Sequence, residues 1–189
     1  MDIVFALLGL LPFALLFLVY APVLMLADPG RPLITQTRIG RDRSPFKFFQ
    51  FRIYRQGTNI DACRASYWMR RTGLDAVPQI FNVLLGLMSL VGPRPFIPSY
   101  DEHLRAHIEG YDDRFAVRPG LTSWAEVAFP SRNYASKTVA YRAAALPYDL
   151  LYIANRTPKF YLLIVFRSLE NLWKGHDHRP FMGKILASR

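Results

Sequence analysis

The residues best suited to chemistry fall in "RRTGLDAVPQIFNVLLG", residues 70–86, and "GPRPF", residues 92–96. Asp75 is the one acid in the first stretch, preceded by Arg70 and Arg71 and followed by Ala76 and Pro78. Pro78 suits a first helical turn, so Asp75 lies at a helix entrance. Two roles are open to it: an N-cap, which is a common fate for Asp at that place, or a nucleophile. Arg94 is held between Pro93 and Pro95, which restricts its backbone to extended conformations. A pre-set guanidinium suits bidentate capture of phosphate, and a plain surface turn is the alternative. Arg38, Arg41, Arg43, Lys47, Arg52 and Arg55 add a basic stretch, read either as a solvated rim or as a surface facing phosphates or lipid headgroups.

These residues must be held by a chain of 189 residues, enough for one domain and an appendage. A formal charge of +10 accompanies 51% hydrophobic residues. That pairing points to an anionic membrane surface or phosphorylated substrates. It argues against nucleic acid, because the basic residues are interleaved with apolar ones and no nucleic-acid motif is present. Cys63 is the only cysteine, so no internal disulfide forms and a reducing compartment fits.

Residues 3–27, "IVFALLGLLPFALLFLVYAPVLMLA", carry no charge. As a helix they would reach about 37 Å, enough for a hydrocarbon core of about 30 Å. The flanks do not fit a cleaved signal peptide. Pro12 kinks or breaks the run, giving a kinked span or a re-entrant hairpin. The basic remainder is expected on the cytoplasmic side in both cases. Alternation at Leu33–Ile39 and Phe46–Ile53 predicts a β-hairpin. "NIDACRASYWMRRTG" predicts a helix ending at Gly73. "VPQIFNVLLGLMSL" and "DEHLRAHIEGYDDRFAV" predict amphipathic helices, with "SLVGPRPFIPSY" and "RPGLTSWAEV" as loop and turn. Thr157-Pro158 predicts a capped helix start.

The order of an apolar segment with a central proline, "ITQTRIGRDRSPFKFFQFR", "MRRTGLDAVPQIFNVLLGLMSLVGPRPF", "VRPGLTSWAEV" and "YRAAALPYDLLYI" resembles the bacterial sugar transferase family, the small monotopic polyprenyl-phosphate phosphoglycosyl transferases. The likeness runs from Asp2 to about Gly175. It implies transfer of a phospho-sugar from a UDP-sugar to undecaprenyl phosphate, starting capsule, exopolysaccharide or other glycan assembly. It implies Asp75 as the covalent nucleophile, with Mg²⁺ offsetting the diphosphate charge. Arg94, Arg70, Arg71 and Arg52 are the expected phosphate-binding residues. The implied fold is α/β, mostly helical, with a small hairpin. Residues 1–27 are expected as a re-entrant membrane hairpin and 28–189 as the cytoplasmic transferase domain, with interfacial helices that include part of 158–174. The implied location is the cytoplasmic face of the bacterial inner membrane, against membrane lipid. Homo-oligomers are allowed, and no residue pattern sets their size.

The chain departs from the family pattern in places. Ala76 stands where the family has the Glu of its Asp-Glu pair, so the metal ligands are unassigned: a methyl group offers Mg²⁺ no oxygen. Gln50 replaces a usual Lys, and Ser123 and Glu126 stand where Gly and Gln are common. Ala76 fits a working site with rearranged metal binding, an impaired member acting as a lipid-phosphate-binding scaffold, or an introduced substitution. The other departures point to natural divergence.

Overall fold

The computed structural model describes residues 2–55, 63–128 and 138–173. Its first helix, α1 (Asp2–Ala27), is one helical element that contains both Pro12 and Pro22. The two legs expected of a hairpin are not separated by a loop. Both prolines sit on the outward face. Inward, Ala6, Tyr20, Ala21 and Leu24 are buried, with Leu10, Phe13, Leu16 and Phe17 packed on the body. Val4, Leu8, Leu11, Leu15 and Leu18 repeat at helical spacing on the exposed side. The helix is long and apolar enough to cross a membrane.

Both ends of α1 are tied to the body. The Asp2 carboxylate accepts from Ser89 Oγ (3.0 Å), from the Leu90 amide (3.3 Å) and from the Tyr161 hydroxyl. At the other end Asp28 pairs with Arg52, whose Nη2 also donates to the Asp28 carbonyl at 2.6 Å. In between, Gly9 admits Ile80 so closely that a Cβ there would lie 2.3 Å from Ile80 Cδ1. Phe13 stacks on Phe51 at 6.0 Å and meets Phe81 edge-on at 4.9 Å. The apolar helix therefore lies along the body instead of projecting from it.

The hairpin pairs β1 (Leu33–Ile39) with β2 (Pro45–Phe51), from Leu33 opposite Phe51 to Ile39 opposite Pro45. It ends two residues earlier than its alternation suggested. A 3₁₀ turn at Arg41–Arg43 closes it, with Asp42 and Arg43 at positive φ. Helix α2 (Arg64–Thr72) ends as expected at Gly73, whose φ of 72° is the left-handed cap glycine tolerates best. Residues 59–62 of that predicted helix lie outside the described residues. The next segment is not one long helix. A 3₁₀ turn, Leu74–Gln79, leads into a short α3 (Ile80–Leu84). Buried Asn82 locks α3 to β2: its Oδ1 accepts from the Phe49 amide (3.1 Å) and its Nδ2 donates to the Lys47 carbonyl (2.6 Å).

Two segments expected as loop and turn carry a small parallel sheet, β3 (Ser89–Val91) with β4 (Gly120–Thr122). Helix α4 (Pro98–His107) stops before Gly110, which has a φ of 69°, and a 3₁₀ turn at Tyr111–Ala116 takes over. The amphipathic helix predicted across 101–117 is thus two pieces. Helix α5 (Trp124–Ala128) follows β4 directly. Helices α6 (Val139–Ala154) and α7 (Pro158–Trp173) complete the described chain. Thr157 caps α7 as its sequence predicted, accepting from the Phe160 amide at 3.2 Å. Leu163, Phe166 and Leu169 remain exposed on α7, while Ile164 is buried. The fold is mostly helical with two small sheets.

Candidate active site

Asp75 is the second residue of the 3₁₀ turn, not its N-cap; Gly73 holds the cap position and no side chain caps the turn. The turn starts earlier than Pro78 suggested because left-handed Gly73 reverses the chain immediately after α2. The Asp75 carboxylate is half-buried and forms no ion pair among the described residues. Burial pushes it up to about 6, against the opposing pull of Arg94, its own backbone amide and Arg70. A carboxyl held there is ionised at neutral pH and is a stronger nucleophile than an ordinary aspartate.

Arg94 lies on a loop that is pinned residue by residue. Tyr152 donates to the Val91 carbonyl (3.1 Å), and the Gly92 amide donates to Thr122 (2.9 Å). The Gly120 amide donates to Pro93 (3.1 Å), Arg114 Nη2 to Arg94 (2.7 Å), Arg38 Nη1 to Pro95 (2.7 Å) and the Ile39 amide to Phe96 (3.0 Å). A Cβ on Gly92 would fall 2.4 Å from the Arg118 carbonyl, which shows how closely the two loops approach. The backbone is fixed, so the Arg94 side chain is the adjustable part. Its Nη1 donates to Glu126 Oε1 at 2.6 Å.

Arg70 projects from α2, with its guanidinium 5.8 Å from the Tyr54 and Tyr67 ring centroids. Arg71 is in α2, and its side chain lies outside the described residues. Arg52 has its guanidinium committed to other partners. It is 5% exposed, and each guanidinium nitrogen already donates: Nε to the Arg31 carbonyl (3.0 Å), Nη1 and Nη2 to Asp28. It is a clamp on the end of α1. Its presence beside Phe51 in an apparent phosphate motif carried no sign of that partner.

Two arginines beyond the expected set support the site. Arg38 stacks 4.2 Å over Phe48, and its Nε is buried without a hydrogen-bond partner. Burial, then the nearby charge of Arg94, pushes it down to about 9. Buried Arg114 reaches the Tyr111 hydroxyl (2.8 Å) and Asp149 (3.4 Å) while holding the Arg94 carbonyl. Burial raises Asp149 to about 6. The sequence offered one hint, the alternation that puts Arg38 and Gln36 on one strand face; Arg38 Nη2 donates to Gln36 at 2.8 Å.

Among the described residues, the donor set beside Asp75 does not fit a protein-held Mg²⁺. Ala76 contributes no oxygen, and among the described residues no group of three or more His, Cys, Asp or Glu is placed to hold a metal. Asp101 and Glu102, the next acids in sequence, do not come back to replace it. Asp101 is 1% exposed and accepts from Tyr111 (2.9 Å), and both face Arg43.

The half-buried Asp75 carboxylate, without an ion pair among the described residues, is reached by the charges of Arg94 and Arg70, and a perturbed carboxyl of this kind marks a candidate functional site. The chain belongs to the bacterial sugar transferase family, whose profile matches residues 1–175. It is 36% identical over 176 residues to a UDP-glucose:undecaprenyl-phosphate glucose-1-phosphate transferase of Escherichia coli, covering 87% of this chain and 38% of that protein. A UDP-N-acetylgalactosamine-undecaprenyl-phosphate N-acetylgalactosaminephosphotransferase of Aeromonas hydrophila is 30% identical, over 95% of this chain and 44% of its own. A Caulobacter vibrioides UDP-glucose:undecaprenyl-phosphate glucose-1-phosphate transferase is 33% identical over 91% of this chain and 68% of its own. The chain thus spans roughly two-fifths of the first two relatives, in line with a shared module.

Proposed function

We propose that this chain transfers a phospho-sugar from a UDP-sugar to undecaprenyl phosphate, through a covalent intermediate on Asp75. The observation that carries this reading is the half-buried Asp75 carboxylate, without an ion pair among the described residues, raised to about 6 and within reach of the charges of Arg94 and Arg70. An Asp75 oxygen attacks the sugar-bearing phosphorus. The new bond is an acyl phosphate, the bond to the other phosphate breaks, and UMP leaves with that electron pair. An oxygen of undecaprenyl phosphate then attacks the same phosphorus and releases the Asp75 carboxylate. Such a step needs placement and charge neutralisation above all. Arg94 on its fixed loop and Arg70 on α2 supply both, and Arg38 fixes the loop. Magnesium enters this reading as a counter-ion of the donor's diphosphate.

The site works at the cytoplasmic face of a bacterial inner membrane in this reading, with residues 1–27 as the membrane segment and 28–189 as the catalytic body. Attachment of both Asp2 and Asp28 to one body supports both ends of α1 on the same side, the arrangement of a re-entrant or surface-lying helix. The exposed apolar faces of α1 and α7 support immersion in one leaflet. Undecaprenyl phosphate would reach the site from that leaflet and the UDP-sugar from water.

A second reading, a scaffold that binds lipid phosphate without turnover, draws on Ala76 and on the grip of Glu126 on Arg94. One experiment separates the two. Protein in nanodiscs is supplied with undecaprenyl phosphate, Mg²⁺ and a panel of UDP-sugars, and UMP is measured. Release by the natural chain, lost in Asp75→Asn, is the expected result. Release by Ala76→Glu alone would favour the scaffold reading.

A further inference from the structure

Arg94 is the residue this reading places against the donor, yet its guanidinium is already engaged. Glu126 Oε1 lies 2.6 Å from Nη1, and the two side chains are 18% and 44% exposed. Glu126 is well held: its own amide donates to Ser123 Oγ at 3.1 Å, and Ser123 is buried. Asp75, by contrast, has no ion pair with Arg94, although the charge of Arg94 reaches it. Arg94 thus bonds to one carboxylate, that of Glu126, while its charge also acts on a second, that of Asp75.

We propose that Glu126 is the resting partner of Arg94, holding the guanidinium off Asp75 until the donor's diphosphate displaces it. Three features carry this. The 91–96 backbone is pinned at each step, so exchange of partners is a side-chain movement only. The pair is partly exposed, so its rupture costs little and an entering phosphate replaces one charge-assisted bond by another. Direct pairing with Arg94 would stabilise the Asp75 carboxylate and weaken it as a nucleophile. Glu126 prevents this in the empty site, and the diphosphate prevents it in the filled one. Glu126 is therefore a positioning residue, acting on Asp75 through Arg94. Among the described residues, the charges of Arg94 from the loop and Arg70 from α2 act on Asp75, and Asp75 acts in turn on Tyr20 of α1. Of these, Arg94 is bonded to Glu126.

The inference rests on Arg94 as a phosphate-gripping residue. Its test compares the natural chain with Glu126→Gln and Glu126→Ala in nanodiscs, with UDP as the probe in calorimetry and the pH dependence of UMP release as a second readout. Both variants should bind UDP about two- to five-fold more tightly, the range set by releasing one partly exposed ion pair. The acid limb of kcat/KM should move to lower pH by about half a unit, because Arg94 turns to Asp75. A Glu126 that merely braces α5 would change thermal stability and neither readout. UMP release with unchanged UDP affinity and an unchanged acid limb overturns the inference and leaves the transfer reading intact. Tighter UDP binding with no UMP release from any chain does the reverse. Absence of UDP binding by all three overturns both.

Discussion

Replacing Asp75 by Asn should make the protein more stable while it abolishes transfer. The native carboxyl titrates at about 6 against an ordinary 3.8, mainly through burial. A group whose native pKa is raised is favoured in its protonated form. Its contribution is present in full below about pH 4 and is lost as pH rises through about 6. Each pH unit of displacement corresponds to about 1.4 kcal/mol, so the ionised native state carries a penalty of about 3 kcal/mol at most. Asp75 is only half-buried, and solvent screening reduces that to about 1–3 kcal/mol. Asn is neutral throughout and escapes it. For a chain of this size each kcal/mol moves the melting temperature by about 2–4 °C. Asp75→Asn should therefore melt roughly 3–10 °C higher at pH 8 and keep only about a third of that gain at pH 4.5. Tryptophan fluorescence during heating in nanodiscs reads this directly. Asp149 titrates in the same range but is present in both proteins, so it cancels in the difference. Equal melting temperatures at pH 8, or the same gain at both pH values, would refute the reasoning. Either result would mean that Asp75 is not held ionised against its surroundings.

Other substitutions test the supports of the site. Asn82→Ala leaves the Phe49 amide and the Lys47 carbonyl without their partners and should cost about 2–4 kcal/mol in denaturant unfolding. Gly92→Ala drives a methyl against the Arg118 carbonyl and the Gly120 amide, forcing β3 and β4 apart; about 1–3 kcal/mol of stability should go, together with most transfer activity. Arg52→Ala should expose the end of α1 to protease and lower the melting temperature, while leaving the KM for a UDP-sugar within about two-fold, since Arg52 is bonded to Asp28 and Arg31. A large rise in that KM with little loss of stability would return Arg52 to the phosphate site.

Much of this architecture was legible where the signal is local. The apolar run gave α1, alternation gave β1 and β2, Gly73 marked the end of α2, and Thr157-Pro158 marked the start of α7. Features made by distant contacts were not legible. Strands β3 and β4 are three residues each and exist only because Ser89 and Gly120 meet. Gly110 breaks the predicted helix by adopting a left-handed backbone, a choice that the flanking amphipathic pattern concealed. The site divides in the same way. Asp75, Arg70 and Arg94 stood out by type and spacing. The engagement of Arg52 by Asp28, 24 residues away, has no local mark in the sequence. Arg38, Arg114 and Glu126 reach the Arg94 loop only through the fold, which no local pattern marks.

The most direct test of the central claim is intact-protein and peptide mass spectrometry after incubation with a UDP-sugar and no lipid acceptor. The account predicts a mass gain of one phospho-sugar on the peptide containing Asp75, released when undecaprenyl phosphate is added. UMP release without that adduct, or an adduct on a different residue, would contradict it.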